Sequence, residues 1–362
     1  MPYVSSKIID IELAFQFVTT RMNLISQLAK DRKFDVICVG TALIDHLSIA
    51  DLSTVAELGL AAGTMTLIDD ETATRARATL GAAKLVSGGT VANTAAGIAS
   101  FTGRPAFVGA VARDEFGERY AHDLRSAGVH PMLTEITDGD GRSATGACYV
   151  MVTPDQERTM ATHLGVSGQL RVEHLSKDLL ADCAVCYFDG YLLDFPGADE
   201  IVQSLIASAK THGTALALGL ADPFVVDRHR EALIGLLPDI SLLFSNHDEI
   251  LSLGECGDIY KAAERFRHQD MAVVVTRSEL GAVVIWEEGM VQIDAVPVEQ
   301  VVDVTGAGDL FASGMLYGCV REGDYRIGAE LGALAASEVI SHLGARPEHS
   351  LLELARGAGI LS

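Results

Sequence analysis

A doubly wound α/β fold on a mainly parallel sheet is what this sequence predicts, and three observations carry it. Short apolar runs recur from Phe34-Asp-Val-Ile-Cys-Val-Gly40 onward, among them Ala106-Phe-Val-Gly109, Val185-Cys-Tyr-Phe188, Ala215-Leu-Ala-Leu218, Ser241-Leu-Leu-Phe244 and Ala272-Val-Val-Val-Thr276. They are continuous rather than alternating, as strands covered on both faces must be. Helix-like stretches at 91–100, 115–127, 199–212 and 259–267 separate them, which is the alternation of βαβ units. Finally, 362 residues and 38.4 kDa suffice for one large sheet with a smaller second lobe.

Taken in order, residues 1–33 form an N-terminal extension ahead of a domain spanning 34–362. Its apolar residues Ile8, Ile9, Ile11, Leu13, Phe15 and Val18 are interrupted by Lys7, Asp10 and Glu12, so it has no continuous apolar core of a signal peptide. A helix packed on the domain, a partner contact and a translation start at Met22 all remain open readings. Within the domain, two stretches break the strand–helix rhythm, about 43–69 and 131–163. The second contains Ala144-Thr-Gly-Ala-Cys-Tyr-Val-Met-Val152, the turn Thr153-Pro-Asp-Gln156 and Glu157-Arg-Thr-Met-Ala161, a β-hairpin pattern. Extra strands inserted into an α/β domain commonly close over its site, so a small β-sheet lid is expected.

Composition narrows the function classes. Lys plus Arg total 27 against 49 for Asp plus Glu, a formal net charge of −22, and so acidic a surface repels a phosphate backbone. Nucleic acid is therefore not an expected partner, and any phosphate must be held locally. No window reaches the roughly 18 uninterrupted apolar residues of a membrane span. The six cysteines are scattered through apolar segments and read as reduced thiols of a cytoplasmic protein. Cys183-Ala-Val-Cys186 has redox or metal spacing, but it lies in a strand-like run without a second pair, and buried strand is the simpler reading. His122, His130, His163 and His174 lack metal-ligand spacing, and Arg228-His-Arg230 reads as a solvated turn. Monomer and homodimer are both open.

The most informative segment is Val301-Val-Asp-Val-Thr-Gly-Ala-Gly-Asp-Leu-Phe-Ala-Ser-Gly-Met-Leu316. Gly306, Ala307 and Gly308 permit a tight turn into a helix beginning near Leu310, so free N–H groups of its first turn make an anion hole. Asp309 is the odd member, since a carboxylate repels a phosphate that is merely bound. It makes sense as a base when a substrate hydroxyl lies between it and the phosphate; as an ordinary helix-start acid it would favour the dipole alone. No Gly-x-Gly-x-x-Gly follows a strand and no Gly-x-x-x-x-Gly-Lys-Ser/Thr occurs, so neither a dinucleotide fingerprint nor a P-loop is available.

The string Asp-x-Thr-Gly-Ala-Gly-Asp closely resembles the second signature of the ribokinase-like (PfkB) carbohydrate and nucleoside kinase family. Gly88-Gly-Thr-Val-Ala-Asn93-Thr94 is similar to its amino-terminal signature, with Val91 where relatives usually carry a small residue. The resemblance implies a three-layer α/β/α sandwich with a mainly parallel central sheet and a small β-sheet lid. It implies an ATP-dependent kinase with Asp309 as base and Gly306, Ala307 and Gly308 as the anion hole. Gly40-Thr-Ala-Leu-Ile-Asp45 resembles the segment whose Asp grips two substrate hydroxyls, which maps onto Asp45; Gly88, Gly89 and Asn93 would complete the acceptor site. Arg158 would swing over the transferred phosphate. Ser245-Asn-His-Asp-Glu249 resembles an Asn-x-x-Glu element, placing Asn246 and Glu249 near the phosphates and the Mg²⁺ shell through water. Thr276-Arg277 resembles a nucleotide-phosphate turn in which relatives often have Gly at Ser278. Asp303, with the loop His342-Leu-Gly-Ala-Arg-Pro347, would hold a monovalent cation such as K⁺. The adenosine-kinase-like bacterial branch is the nearest likeness, through Glu-Arg-Thr-Met and Asp222-Pro-Phe-Val-Val-Asp-Arg-His-Arg230, with a ribose or fructose kinase and a non-catalytic sensor as alternatives.

Overall fold

In the computed structural model, which describes residues 25–81, 83–137, 143–153, 158–268, 271–287 and 289–362, the apolar runs become strands of one nine-stranded sheet. The strands in chain order are β1 (Phe34–Val39), β2 (Leu43–Ile49), β3 (Met65–Leu67), β4 (Lys84–Gly88), β5 (Pro105–Ala112), β6 (His130–Ile136), β7 (Gly146–Val152), β8 (Arg158–His163), β9 (Cys183–Asp189), β10 (Ala215–Gly219), β11 (Leu242–Asn246), β12 (Ala272–Thr276), β13 (Ala282–Trp286) and β14 (Gly289–Ile293). The helices are α1 (25–31), α2 (Leu52–Glu57), α3 (Asp70–Leu80), α4 (Thr90–Ser100), α5 (Glu115–Ser126), α6 (Ala198–His212), α7 (Pro223–Leu236), α8 (His247–Gly254), α9 (Ile259–Phe266), α10 (Ala307–Arg321), α11 (Tyr325–Val339) and α12 (Leu351–Gly357).

The large sheet runs β14-β13-β12-β11-β10-β9-β1-β5-β6. Its neighbours from β12 through β6 pair in parallel, and β13 and β14 close one edge antiparallel. Both faces are covered, which explains the unbroken apolar runs: on β1, Val36 and Cys38 enter one core with α4, α10 and α11, while Ile37 and Val39 enter the other with α6 to α9. The chain steps from β1 to β5 and β6 on one side and later to β9 on the other. The β1/β9 boundary is therefore the topological switch point, where ligands of open α/β sheets bind beyond the carboxyl ends of the strands.

A five-stranded second sheet, β3-β8-β7-β2-β4, forms the lid. The hairpin pairs Val152 with Arg158 antiparallel; its turn, 154–157, lies outside the described residues. The lid expectation needs two corrections. Residues of β6 pair in parallel with β5 and belong to the large sheet; as a half-exposed edge strand, β6 lacks the continuous apolar signature of its neighbours. Conversely, β4, just ahead of the Gly-Gly turn, belongs to the lid. Arg228-His-Arg230 is not a turn either. It lies inside α7, kinked at His229, where Arg228 and His229 both bond Asp194 at 2.9 and 2.8 Å.

Of the extension, 1–24 lies outside the described residues; α1 packs on the domain through Ile25 and Ala29. All six cysteines are free, with Cys183 and Cys186 buried in β9. No helix among the described residues is long and apolar enough to cross a membrane.

One buried charge anchors β1. Asp35, 1% exposed, accepts Arg104 on Oδ1 at 2.8 Å and Arg321 on Oδ2 at 2.7 Å, tying the strand to the entry of β5 and the end of α10. Removing one member of such a pair costs roughly 3–5 kcal/mol. Both guanidinium groups here reach water, so the low end applies. Asp35→Ala is expected to lose about 3 kcal/mol in urea unfolding while each folded molecule keeps its activity.

Candidate active site

Beyond Val39 the chain turns through Gly40, Thr41 and Ala42 into β2. Period-two alternation puts Leu43, Asp45 and Leu47 on one face of the lid. The register pairs Asp45 with Cys148, Val150 with Met160 and Val152 with Arg158, so these side chains share that face. Leu43, Cys148 and Val150 make a small apolar cluster with Leu47 and Met160. The opposite face, with Tyr149, Met151 and Ala161, is filled by Val55, Leu58, Ala73 and Ala76 of the α2–α3 region. The lid thus has one structural face and one that combines apolar surface with a carboxylate and a guanidinium.

Next to Asp45 stands Gly88 of β4. A Cβ there would run into the Asp45 carboxylate, and one on Gly89, whose φ is +98°, would strike the Thr41 carbonyl. The Gly-Gly turn is required for β2 and β4 to come this close. It opens α4, where Asn93 donates its Nδ2 to Asp309 Oδ2 at 2.9 Å and Thr94 donates Oγ1 to the Asp309 carbonyl at 3.1 Å. Two motifs more than 200 residues apart meet in one hydrogen bond, and Asn93 Oδ1 is left buried without a partner. Val91 does not intrude on this pocket: it is 1% exposed and packs against Gly40.

The glycine turn is held from both sides. Asp303 accepts the Thr305 N–H on Oδ1 at 2.8 Å and the Gly344 N–H on Oδ2 at 2.9 Å. Arg158 from the lid pairs with Asp303 Oδ2 at 2.5 Å and donates to Thr305 Oγ1 at 2.6 Å. Gly306, with φ +80°, caps α10 without any side-chain bond. The N–H groups of Gly308 and Asp309 have no backbone acceptor among the described residues, so they point into the site as anion donors.

Four carboxyl groups share this space. Burial pushes Asp309 up to about 7, with Asp189, Asp45 and Glu249 adding to the shift and the Asn93 amide opposing it. Burial likewise pushes Asp45 to about 7, against the pull of Arg346 and Arg158. Asp189, at the end of β9, is raised to about 6 by burial, and neither of its oxygens has a well-formed partner. Glu249 rises to about 7, again chiefly by burial. Asp309, raised by three neighbouring acids, is short of positive charge. That fits a divalent cation arriving with nucleotide phosphates, since Mg²⁺ needs only one or two carboxylates beside phosphate and water; no cluster of three potential ligands stands ready among the described residues.

Asp303, expected beside a monovalent cation, is occupied here by protein partners. Its oxygens are engaged by two N–H groups and by the Arg158 guanidinium, which already supplies the countercharge. Asn246 and Glu249 form the capping box of α8: Asn246 accepts the Glu249 N–H at 2.8 Å, and Glu249 accepts the Asn246 N–H at 2.9 Å and Nδ2 at 2.8 Å. Glu249 still faces Asp309 electrostatically. Thr276 ends β12 and Arg277 follows it, bonded to the Leu280 carbonyl at 2.8 Å; no hydrogen bond joins either to the glycine turn among the described residues. Ser278 sits at φ +50°, which is why glycine suits that position.

Two members of the site were not anticipated. Asp189 had a legible signal, a carboxylate ending a buried strand, where switch-point ligands bind. Arg346 lies in the loop 342–347 already expected beside Asp303, but nothing local marked its side chain. It couples electrostatically to Asp45.

Known proteins share this fold. The model of the pfkB carbohydrate kinases matches residues 36–350. A structure of adenosine kinase from Sinorhizobium meliloti superposes with a TM-score of 0.84 at 38% identity, covering 90% of this chain and 99% of that one. A probable sugar kinase from Rhizobium etli CFN 42 superposes equally well, with TM-score 0.84, 38% identity, and 91% and 100% covered. Adenosine kinase of Saccharomyces cerevisiae is 28% identical over 277 residues, 72% of this chain and 79% of that protein. With a nine-stranded sheet, a five-stranded lid and the two glycine motifs joined at Asp309, the chain belongs to the pfkB family of carbohydrate kinases, a family of ATP-using phosphotransferases.

Proposed function

We propose that this kinase moves the γ-phosphate of ATP to the primary hydroxyl of a nucleoside, adenosine before others. The observation that carries the choice of acceptor is the inner face of the lid. Asp45, an acceptor-only group suited to a diol, lies beside the apolar Leu43, Cys148 and Val150. A nucleoside uses both, its ribose on the carboxylate and its base on the apolar surface, whereas a free sugar leaves the apolar part unmatched. Likeness to adenosine kinases from Sinorhizobium meliloti and yeast supports the same reading.

In this mechanism the Asp309 carboxylate, oriented by Asn93, takes the proton of the acceptor hydroxyl. The oxygen then attacks the γ-phosphorus in line as the bond to the bridging oxygen of ADP breaks. The N–H groups of Gly308 and Asp309 receive the charge that develops on the transferred group. Mg²⁺, when bound with the nucleotide, neutralises phosphate charge, and Glu249 is placed to reach its water shell. Closure of the lid excludes water as a competing acceptor. A carboxyl poised near 7 suits a base at neutral pH.

Coupled assay of ADP release over adenosine, inosine, guanosine, ribose and fructose decides the substrate. Adenosine is expected to show a kcat/KM at least 10-fold above either free sugar, a margin of about 1.4 kcal/mol. Turnover with a sugar alone establishes instead the activity that the name of the Rhizobium etli relative suggests.

A further inference from the structure

We propose that Arg346 reads the acceptor substrate: with Asp45 it forms a donor–acceptor pair that holds a single substrate hydroxyl. The loop that carries Arg346 is fixed on every side. Val302 N–H bonds the Ile340 carbonyl at 2.8 Å, Gly344 N–H bonds Asp303 at 2.9 Å, and Glu338 accepts the N–H groups of Glu348 and His349 at 2.9 Å each. Ala345 packs directly on Gly306. Arg346 is therefore delivered to the boundary between the glycine turn and the acceptor site by a rigid support, not by a loose tail.

Its guanidinium is conspicuously unsatisfied. Nε and Nη2 are both shielded from solvent, and neither has a hydrogen-bond partner among the described residues. Leaving a buried donor unpaired is costly, and more so for a charged one. The charged and titratable groups it faces are Tyr120, Asp123 and Asp45. Two of them are already engaged: Tyr120 donates to the Gly88 carbonyl at 3.0 Å, and Asp123 accepts from Ser87 at 2.7 Å. Asp45 makes no hydrogen bond among the described residues. A guanidinium can only donate and a carboxylate can only accept, whereas a hydroxyl does both. One hydroxyl set between Arg346 and Asp45 satisfies both charges at once.

A pair built this way discriminates sharply, because an analogue lacking the hydroxyl strands two buried charges. It also bears on ionisation. Asp45 faces Arg346, Arg158, Asp309, Tyr120 and Cys148, and of these Arg346 is the strongest influence favouring its charged form.

The test compares wild type with Arg346→Met, which keeps the stem, and Arg346→Lys, which keeps the charge without the fork. Steady-state kinetics are measured with ATP and with adenosine, 2′-deoxyadenosine and 3′-deoxyadenosine. For Arg346→Met we expect the acceptor KM to rise about 30-fold, with kcat within 5-fold and the ATP KM within 2-fold of wild type. Discrimination against one of the two deoxy analogues should fall at least 10-fold, and the acid limb of 1/KM for adenosine should move to higher pH. Arg346→Lys should recover part of the acceptor affinity. An unchanged acceptor KM, unchanged deoxy discrimination, or a rise in the ATP KM instead overturns the proposal. Should Arg346→Met not fold, Arg346→Lys with wild-type acceptor KM and wild-type discrimination overturns it equally. The inference rests on the nucleoside reading only for the identity of the hydroxyl. If wild type phosphorylates a free sugar alone, that reading fails, and the acceptor KM of the variants for that sugar still judges Arg346.

Discussion

Asp309→Asn is expected to turn over its acceptor about 10³-fold more slowly than wild type, within the range of roughly 10²–10⁴ for a positioned general base. ATP affinity should be equal or better, because the substitution removes a negative charge from beside the phosphate site. The asparagine keeps an acceptor for the Asn93 amide, which bonds Asp309 at 2.9 Å, so the junction between α4 and α10 stays closed. A sensor without turnover would have nothing to lose here, and equal activity in the variant would overturn the mechanism. The pH profile is a second readout. Wild-type kcat/KM should fall below an apparent pKa near 7, where burial places the Asp309 carboxyl. Asp45, Asp189 and Glu249 titrate nearby, so that limb belongs to the coupled group. Stability should move the opposite way from activity. The Asp309 pKa is raised in the fold, so its contribution is fully present below 3.8 and is lost as pH rises through about 7. Asp309→Asn does not titrate. It should therefore be more stable than wild type at pH 8, by on the order of 2 kcal/mol or more, with a smaller gain at pH 5 and little below about pH 4.

The parts of this molecule that were legible in its sequence are those whose signals are local. β1, β9, β11 and β12 lie between two helical layers, so both faces must be apolar and the runs stand out. The glycine motifs were legible because the backbone there does what other residues cannot: Gly89 and Gly306 both hold positive φ. Edge strands were harder. β6 and β14 are half-exposed, with charged and polar residues among the apolar ones, so neither presents the continuous apolar run of its neighbours. β4 is short, and its Lys84 and Ser87 hid it beside the more conspicuous Gly-Gly turn. Asn246 and Glu249 carry two signals at once: beside the phosphate element they resemble, Asn-x-x-Glu ahead of an apolar run is a capping box, and that box is formed. The ion pair of Asp303 was illegible for another reason: its partner, Arg158, comes from a lid strand 145 residues away, and no spacing rule reports an ion pair across such a distance.

Gly306→Ala should damage both the fold and turnover, and Gly308→Ala, two residues on, should barely disturb the fold. Gly306 holds φ +80°, a region that costs an alanine about 1–2 kcal/mol. Its new Cβ would also lie 2.8 Å from Ala345 Cα and 2.9 Å from the Ala345 carbonyl oxygen. Those are backbone atoms of the loop pinned by Asp303 and Glu338, so no side chain can swing aside and either the turn or the loop must shift. Both routes displace the N–H groups that face the transferred phosphate. A displacement of about 1 Å from the productive geometry can lower rate about 10²-fold. The expected result for Gly306→Ala is a loss of about 3 kcal/mol in stability together with a kcat reduced about 100-fold. At Gly308 the φ is ordinary and an added Cβ meets nothing within 4 Å, and alanine is the better helix former by up to about 1 kcal/mol. Gly308→Ala should melt at or above the wild-type temperature, so any loss of turnover it shows is a loss at the ligand rather than in the fold. If thermal unfolding instead finds both variants equally stable, the left-handed turn at Gly306 is not the rigid support of the phosphate site argued here.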